Sequence, residues 1–315
     1  MTAPARKGVQ LLEVSPEEAG QRLDNYLARH ADGVPKTRVY RAIRKGEVRV
    51  NKGRTKPDYR VQQGDTVRLP PLSTRDNTDK PRPSLAWANR IRRAVVFDSG
   101  DLLVIDKPTG LAVHGGSGVR VGLIESLRSL FPEVRYLELV HRLDRDTSGL
   151  VLLAKNARTL RALHEQLREG RIDKRYCALV SGKWPAYRKV VSAPLLKQHT
   201  ASGERIVKVD AEGKAAKTEF RVLERFREAT LVEAKPVTGR THQIRVHAQQ
   251  SGHPILGDVK YQNDDSEALC DRVHLKRLFL HASAISFTLA GERLSFECPL
   301  DAELESALAE LRRQR

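Results

Sequence analysis

The chain has 315 residues, 40% of them hydrophobic, and its 56 lysines and arginines against 39 aspartates and glutamates leave a net charge of +17. That is enough apolar material for a core, which excludes a disordered basic tail, and the length fits two domains on the usual scale of about 100–200 residues each. No run of about 18 apolar residues occurs and the first residues hold no apolar stretch of signal-peptide length, so a soluble cytoplasmic protein without a membrane partner is expected. The excess charge points to a polyanion, because lysines and arginines gain affinity by releasing counterions condensed on phosphates; a generic basic surface is the plain alternative. The three cysteines, Cys177, Cys270 and Cys298, are far apart and form no CxxC pair, so reduced structural thiols are expected rather than disulfides or a zinc site. Aromatic residues, at 5%, are sparse for a protein that binds single strands by base stacking.

In chain order, Met1–Val14 carries no motif. Residues 22–30 place Leu23, Tyr26 and Leu27 on one helical face. Residues 36–45 do the same with Val39, Ala42 and Ile43, while Arg38, Arg41 and Lys45 fall on another face and Gly46 is suited to end the helix. Short strands are expected around Val48–Val50 and Val67–Leu69, with Gly64-Asp65 as a turn. Residues 36–60 hold ten basic residues (Lys36, Arg38, Arg41, Arg44, Lys45, Arg49, Lys52, Arg54, Lys56 and Arg60) opposed only by Glu47 and Asp58. The pattern predicts a small α/β module over 20–69 with one basic face. Residues 70–84 hold four prolines and one leucine, which predicts a semi-rigid linker.

From 85 to 315 the pattern predicts an α+β domain with a mainly antiparallel sheet. Strands are expected at Ala94–Phe97, Leu102–Ile105, Leu150–Ala154, Tyr176–Val180, Glu219–Leu223 and Thr230–Ala234. Helices are expected at 156–169, with Leu160, Leu163 and Leu167 on one face and Gly170 closing it, and at 301–313, with Asp301 as N-cap and Leu304, Leu308 and Leu311 inside. The densest polar cluster, HRLDRDTSG at 141–149, lies between two apolar runs, where a rigid sheet commonly positions a catalytic loop. Flanking arginines favour the ionised carboxylate that a nucleophile or base needs, although the pattern alone fits a structural salt-bridge loop equally well. A second cluster, at 238–258, predicts a helix at about 241–250 with Thr241, Arg245 and Gln249 near one face and Ile244 and Ala248 on the next. Its histidines read as capping and packing residues, and Tyr176, at a strand start, reads as core. His164-Glu165 begins like a zinc-protease helix, but Arg168 stands where a histidine is needed, and the glycines after His114 lack a phosphate-loop ending.

HRLDRDTSG at 141–149, GRTHQIRVHAQQSGHPILGD at 239–258 and KRY at 174–176 resemble the three active-site motifs of the RluA-type pseudouridine synthases. Residues 22–69 resemble an S4 RNA-binding domain. DKPTGLAVHGGSG at 106–118, LHEQLREG at 163–170 and SGERIVKV at 202–209 extend the likeness over nearly the whole chain. The resemblance implies a pseudouridine synthase fold and isomerisation of uridine to pseudouridine, without metal or organic cofactor. The N1–C1′ bond breaks, the uracil turns, and it rejoins through C5. Among large-subunit enzymes of this type the implied substrate is 23S ribosomal RNA or an assembly intermediate, acted on by a monomer with no obligate protein partner.

By the same carry-over Asp144 is the attacking carboxylate, at C1′ or through a glycal route. Tyr176 is a candidate general base lying against the ring, Arg245 the partner of the carboxylate, and Ile244 the aliphatic neighbour. Arg142 fills the gap left by the flipped nucleotide, and Lys36, Arg38, Arg41, Arg44, Lys45, Arg49, Lys52 and Arg54 contact RNA. One departure is Lys52, where glycine is common in the S4 signature. The rival readings are a non-enzymatic RNA-binding assembly protein and a metal-dependent nuclease using Asp144 and Asp146.

Overall fold

Residues 8–16, 18–31, 34, 36–71, 83–115, 121–199 and 205–314 are described by a computed structural model of the chain, which divides into two units, Met1–Arg82 with Asn156–Arg158 and Pro83–Lys155 with Thr159–Arg315. The linker expected over 70–84 falls largely outside these residues, as does the side chain of Lys36.

In the first unit the elements are β1 (Gln10–Glu13), α1 (Leu23–His30), α2 (Lys36–Arg44), β2 (Arg49–Val50) and β3 (Thr66–Leu69). The sheet order is β1-β3-β2, with both pairings antiparallel. The two apolar helix faces meet as the periodicity predicts: Leu23, Tyr26 and Leu27 pack with Val39, Ala42 and Ile43 over Val48, Val61 and Val67. β1 has no counterpart among the expected elements. Its four residues alternate in burial and Val14 beyond them is buried, so the sheet takes in residues ahead of 20. The turn after β2 carries positive φ at both Asn51 (49°) and Lys52 (67°), and Val50 and Gly53 exchange backbone hydrogen bonds across it. Lys52 therefore occupies a left-handed position that glycine holds without strain.

The second unit contains, in order, α3 (Leu85–Arg93), β4 (Val95–Asp98), β5 (Leu102–Lys107), α4 (Leu123–Leu130), β6 (Glu138–Leu139), β7 (Ser148–Ala154), α5 (Ala157–Arg168), β8 (Asp173–Ser181), β9 (Val190–Ser192), β10 (Leu195–His199) and β11 (Arg205–Val209). β12 (Lys217–Arg225), β13 (Ala229–Pro236), α6 (Gln243–Gln250), α7 (Asp264–Arg272), β14 (Leu280–Leu289), β15 (Glu292–Glu297) and α8 (Ala302–Arg313) complete it. Ten strands form one sheet in the order β4-β5-β7-β14-β8-β13-β12-β9, with β15 on β14 and β6 on β7, while β10 and β11 make a separate hairpin. β7 and β14 run parallel and the other pairings are antiparallel, so the unit is α+β with a mainly antiparallel mixed sheet. No helix among the described residues is long and apolar enough to cross a membrane.

β7 is buried at all seven positions and directly follows the 141–147 segment, which it anchors. Its second residue, Gly149, has φ 105°, and a Cβ there would lie 2.4 Å from the Ala282 carbonyl oxygen of β14. Only glycine lets the two parallel strands close at this point. Gly149→Ala is expected to cost about 2 kcal/mol or more, seen as a fall of roughly 4–8 °C in Tm by thermal unfolding. An unchanged Tm would show that the strands accommodate a side chain there.

Candidate active site

The segment 141–147 is held from the side of β5. Lys107, at the end of that strand, has no exposed surface, and its Nζ donates to the carbonyl oxygens of Pro108 (3.0 Å), Leu111 (2.8 Å) and Arg145 (3.0 Å). Burial pushes Lys107 down to about 7, against the pull of Asp146 and Asp144. The Gly110 N–H also donates to Arg145 O, and the Thr109 hydroxyl to Asp146 O at 2.8 Å. His141 accepts from the Leu152 N–H at 3.2 Å, and burial with the charge of Lys174 pushes it down to about 3. It is therefore a neutral imidazole that braces the segment against β7. These contacts fix the backbone on both sides of Asp144.

Opposite this segment stands α6, which departs from the expected 241–250 helix. It begins at Gln243, and His242 before it is left-handed with φ 53°. Gln243, Ile244, Arg245, Val246, His247 and Ala248 are all buried and only Gln249 and Gln250 at its end are exposed, so the helix shows no amphipathic stripe. The Arg245 side chain is 4% exposed and that of Asp258 fully buried. Arg245 donates Nε to Asp258 Oδ2 and Nη2 to Asp258 Oδ1, both at 2.7 Å. Its Nη1 lies 3.4 Å from Asp144 Oδ2. The main partner of Arg245 is thus Asp258, and Asp144 takes the remaining arm at longer range. Burial opposes the Arg245 charge, but the Asp258 hydrogen bonds and charge outweigh it and raise its proton affinity. The Tyr261 ring lies under the guanidinium, 5.1 Å from it.

A cavity of about 710 Å³, within the usual span of about 300–1,000 Å³ for small-molecule sites, is lined by Arg142, Asp144, Tyr176, His242, Ile244 and Arg245 among others. All five residues picked from the motifs for chemistry or flipping therefore meet in one place. Arg142 is exposed, Ile244 is buried, and Tyr176 projects from β8 at 8% exposure. Burial, then the charge of Asp144, raises Tyr176 above the ordinary phenol value, so its hydroxyl stays protonated at neutral pH. Sequence reasoning missed Asp258, Lys107, Tyr261 and a site position for His242. Asp258 closes the second motif and Lys107 is the second residue of the 106–118 stretch, which is the signal that could have found them.

Away from the cavity, Asp106, His281 and Cys298 bring potential ligand atoms within 4.8 Å of one another. Both His281 nitrogens are engaged, with the Ser148 hydroxyl at 2.9 Å and the Cys298 carbonyl oxygen at 3.1 Å, which makes this a packed polar cluster. The three cysteines are free and buried, and burial pushes Cys177 and Cys298 up to about 12. In the first unit, Arg41, Arg44, Lys45, Lys52 and Arg54 are exposed. Arg38 lies 3.7 Å from Glu47, and Arg49 is turned to the Gly46 and Lys52 carbonyl oxygens, so part of the basic set is committed within the unit.

A basic helical module in the first unit and, in the second, a loop carboxylate and a helix arginine facing one cavity are the parts that an RNA-modifying enzyme needs. The comparisons with known proteins agree. The RNA pseudouridylate synthase family matches residues 101–250, and the S4 domain matches residues 21–67. The ribosomal large subunit pseudouridine synthase C of Pasteurella multocida (strain Pm70) is 51% identical over 312 residues, 98% of this chain and 96% of that one. The protein of that name from Escherichia coli (strain K12) is 50% identical over 98% of each chain. Among solved structures, human RNA pseudouridylate synthase domain containing 4 superposes with a TM-score of 0.60 at 27% identity, over 72% of this chain and 96% of that one. The chain belongs to the RNA pseudouridylate synthase family and is an isomerase.

Removing one partner of the buried pair leaves an uncompensated charge. Asp258→Ala is expected to cost about 3–5 kcal/mol of unfolding free energy, measured by urea titration. A loss under about 1 kcal/mol would mean that Arg245 finds another partner.

Proposed function

We propose that the enzyme isomerises specific uridines of 23S ribosomal RNA, either free or in a large-subunit assembly intermediate. It does so in the cytoplasm, as a monomer that requires no obligate protein partner. The observation that carries this reading is the Asp144 carboxylate, presented to the cavity with Arg245 at 3.4 Å, in a chain half identical to large-subunit synthases over nearly its full length.

The target ring is stacked in folded RNA, so the nucleotide must leave the stack at a cost of a few kcal/mol. Arg142, exposed at the cavity, offsets part of that cost by occupying the gap. Asp144 attacks the nucleoside, at C1′ or by the glycal route, as the N1–C1′ bond breaks. The uracil turns, a C5–C1′ bond forms, and the proton lost from C5 is balanced by one gained at N1. Arg245 holds the carboxylate in line, and Ile244 packs beside it. Tyr176, kept protonated by its burial, lies against the ring; its raised proton affinity favours this contact role over that of a base.

Asp144→Ala, expressed in a strain lacking the native enzyme, is expected to leave the target uridines unmodified when pseudouridine is mapped in 23S rRNA. Restored modification would remove Asp144 from the mechanism. The RNA grip is assigned to the basic face of the S4 domain. Replacing Arg38, Arg41 and Lys45 together by Ala should weaken rRNA binding and flatten the slope of log affinity against log salt by about two to three. An unchanged slope would place the phosphates elsewhere.

A further inference from the structure

His242 stands in the cavity without a part in the reaction described above. Its side chain is 13% exposed, with Nε2 3.8 Å from Asp144 Oδ2. Its Nδ1 is 2.7 Å from the Tyr261 hydroxyl, which itself accepts the backbone N–H of Val207 at 3.0 Å. Tyr261 is 3% exposed, and its ring meets the imidazole edge-on. The Val207 N–H occupies one lone pair of the phenol oxygen, and Nδ1 is the acceptor within reach of the phenol proton. An imidazole that accepts at Nδ1 carries its own proton on Nε2, facing Asp144. His242 is left-handed (φ 53°) just ahead of the helix that begins at Gln243, and its side chain makes no capping hydrogen bond to that helix.

We propose that His242 is a positioning residue for the isomerisation: its Nε2–H donates to Asp144 Oδ2 beside Arg245, leaving Oδ1 as the oxygen that meets the nucleoside, and Tyr261 fixes the required tautomer. This rests on the assignment of Asp144 as the attacking carboxylate. Both donors face Oδ2, so the carboxylate has one anchored and one reacting oxygen. The present 3.8 Å separation shortens to hydrogen-bond length when substrate fills the cavity, as catalytic hydrogen bonds commonly do. Burial holds His242 below its ordinary value, with Arg245 and Lys260 pushing the same way and Asp144 and Asp258 pulling against them. A neutral ring is what the role needs, since only the neutral form carries a fixed tautomer.

The test uses the full-length enzyme and a 23S rRNA transcript. Tyr261→Phe and His242→Ala should each lower kcat about 10- to 100-fold, the worth of a hydrogen bond to a charged group, with KM for RNA changed less than about threefold. The double variant should lose no more than the worse single one. His242→Gln, which keeps an amide N–H near the Nε2 position, should recover about tenfold of the loss in His242→Ala. Equal losses in the Gln and Ala variants, or full activity in Tyr261→Phe, would overturn the proposal and leave His242 as packing. The ¹⁵N spectrum of histidine-labelled protein gives a second readout, independent of turnover. Protonation on Nε2 in the wild type and a population of Nδ1–H in Tyr261→Phe are expected, and Nδ1–H in the wild type would overturn the assignment. Wild type and Asp144→Ala, assayed alongside, distinguish this failure from that of the parent reading. An inert wild type would count against the substrate, while the spectrum would still decide the tautomer.

Discussion

Arg245 and Asp258 form a buried pair joined by two 2.7 Å hydrogen bonds, and the rest of the site is arranged around it. Taking two charges out of water carries a penalty of several kcal/mol for each, offset only when the geometry is close to ideal and the remaining donors are satisfied. Here the fork of the guanidinium matches the carboxylate, Tyr261 covers its face, and the Lys260 N–H donates to Asp258 Oδ1 at 3.1 Å. One guanidinium arm then remains, and it points to Asp144. The arginine is therefore a fixed positive charge that does not depend on Asp144 for its place. That separation suits the role proposed for Asp144, in which the carboxylate reacts and the charge beside it need not move.

The other half of the site is held by a different device. Asp144 lies in a segment whose flanking carbonyl oxygens are claimed by Lys107, Thr109 and Gly110 and whose far end enters the fully buried β7. Gly149 lets that strand close on β14, and β14 also pairs with β8, which carries Tyr176. Asp144 and Tyr176 are thus referenced to the same sheet, while Arg245 reaches them from a helix packed on it. The cavity lies where these parts meet, which is why residues about a hundred positions apart converge on one space.

Much of this was readable in the sequence where structure is local. Leu23, Tyr26 and Leu27 gave α1, Leu160, Leu163 and Leu167 gave α5, and Asp301 with Leu304, Leu308 and Leu311 gave α8, because each helix buries one face and solvates the other. α6 and β14 lie at the opposite extreme. α6 is buried over its first six residues, so its start left no period to read, and β14 is held between two partners distant in sequence, β7 and β8, besides its hairpin partner β15. The site residues came from motif likeness rather than from pattern, and likeness located Asp144, Tyr176 and Arg245 without ranking their contacts. That Arg245 answers first to Asp258, 13 residues on, depends on how the chain turns at Gly257. The tautomer of His242 depends on a tyrosine and a backbone N–H from two further segments, and no spacing rule encodes that.

On the proposed reading, the Arg245–Asp258 pair serves the reaction and not only the fold. The most direct measurement replaces the whole pair, Arg245→Met with Asp258→Leu, and follows both Tm and the single-turnover rate of pseudouridine formation on 23S rRNA. Apolar replacement of a buried pair commonly preserves or restores stability. The double variant should therefore recover most of the Tm lost by either single variant while its rate stays as low as that of Arg245→Met alone. A rate that recovers together with Tm would contradict the account, since it would show that the pair matters to catalysis only through the fold.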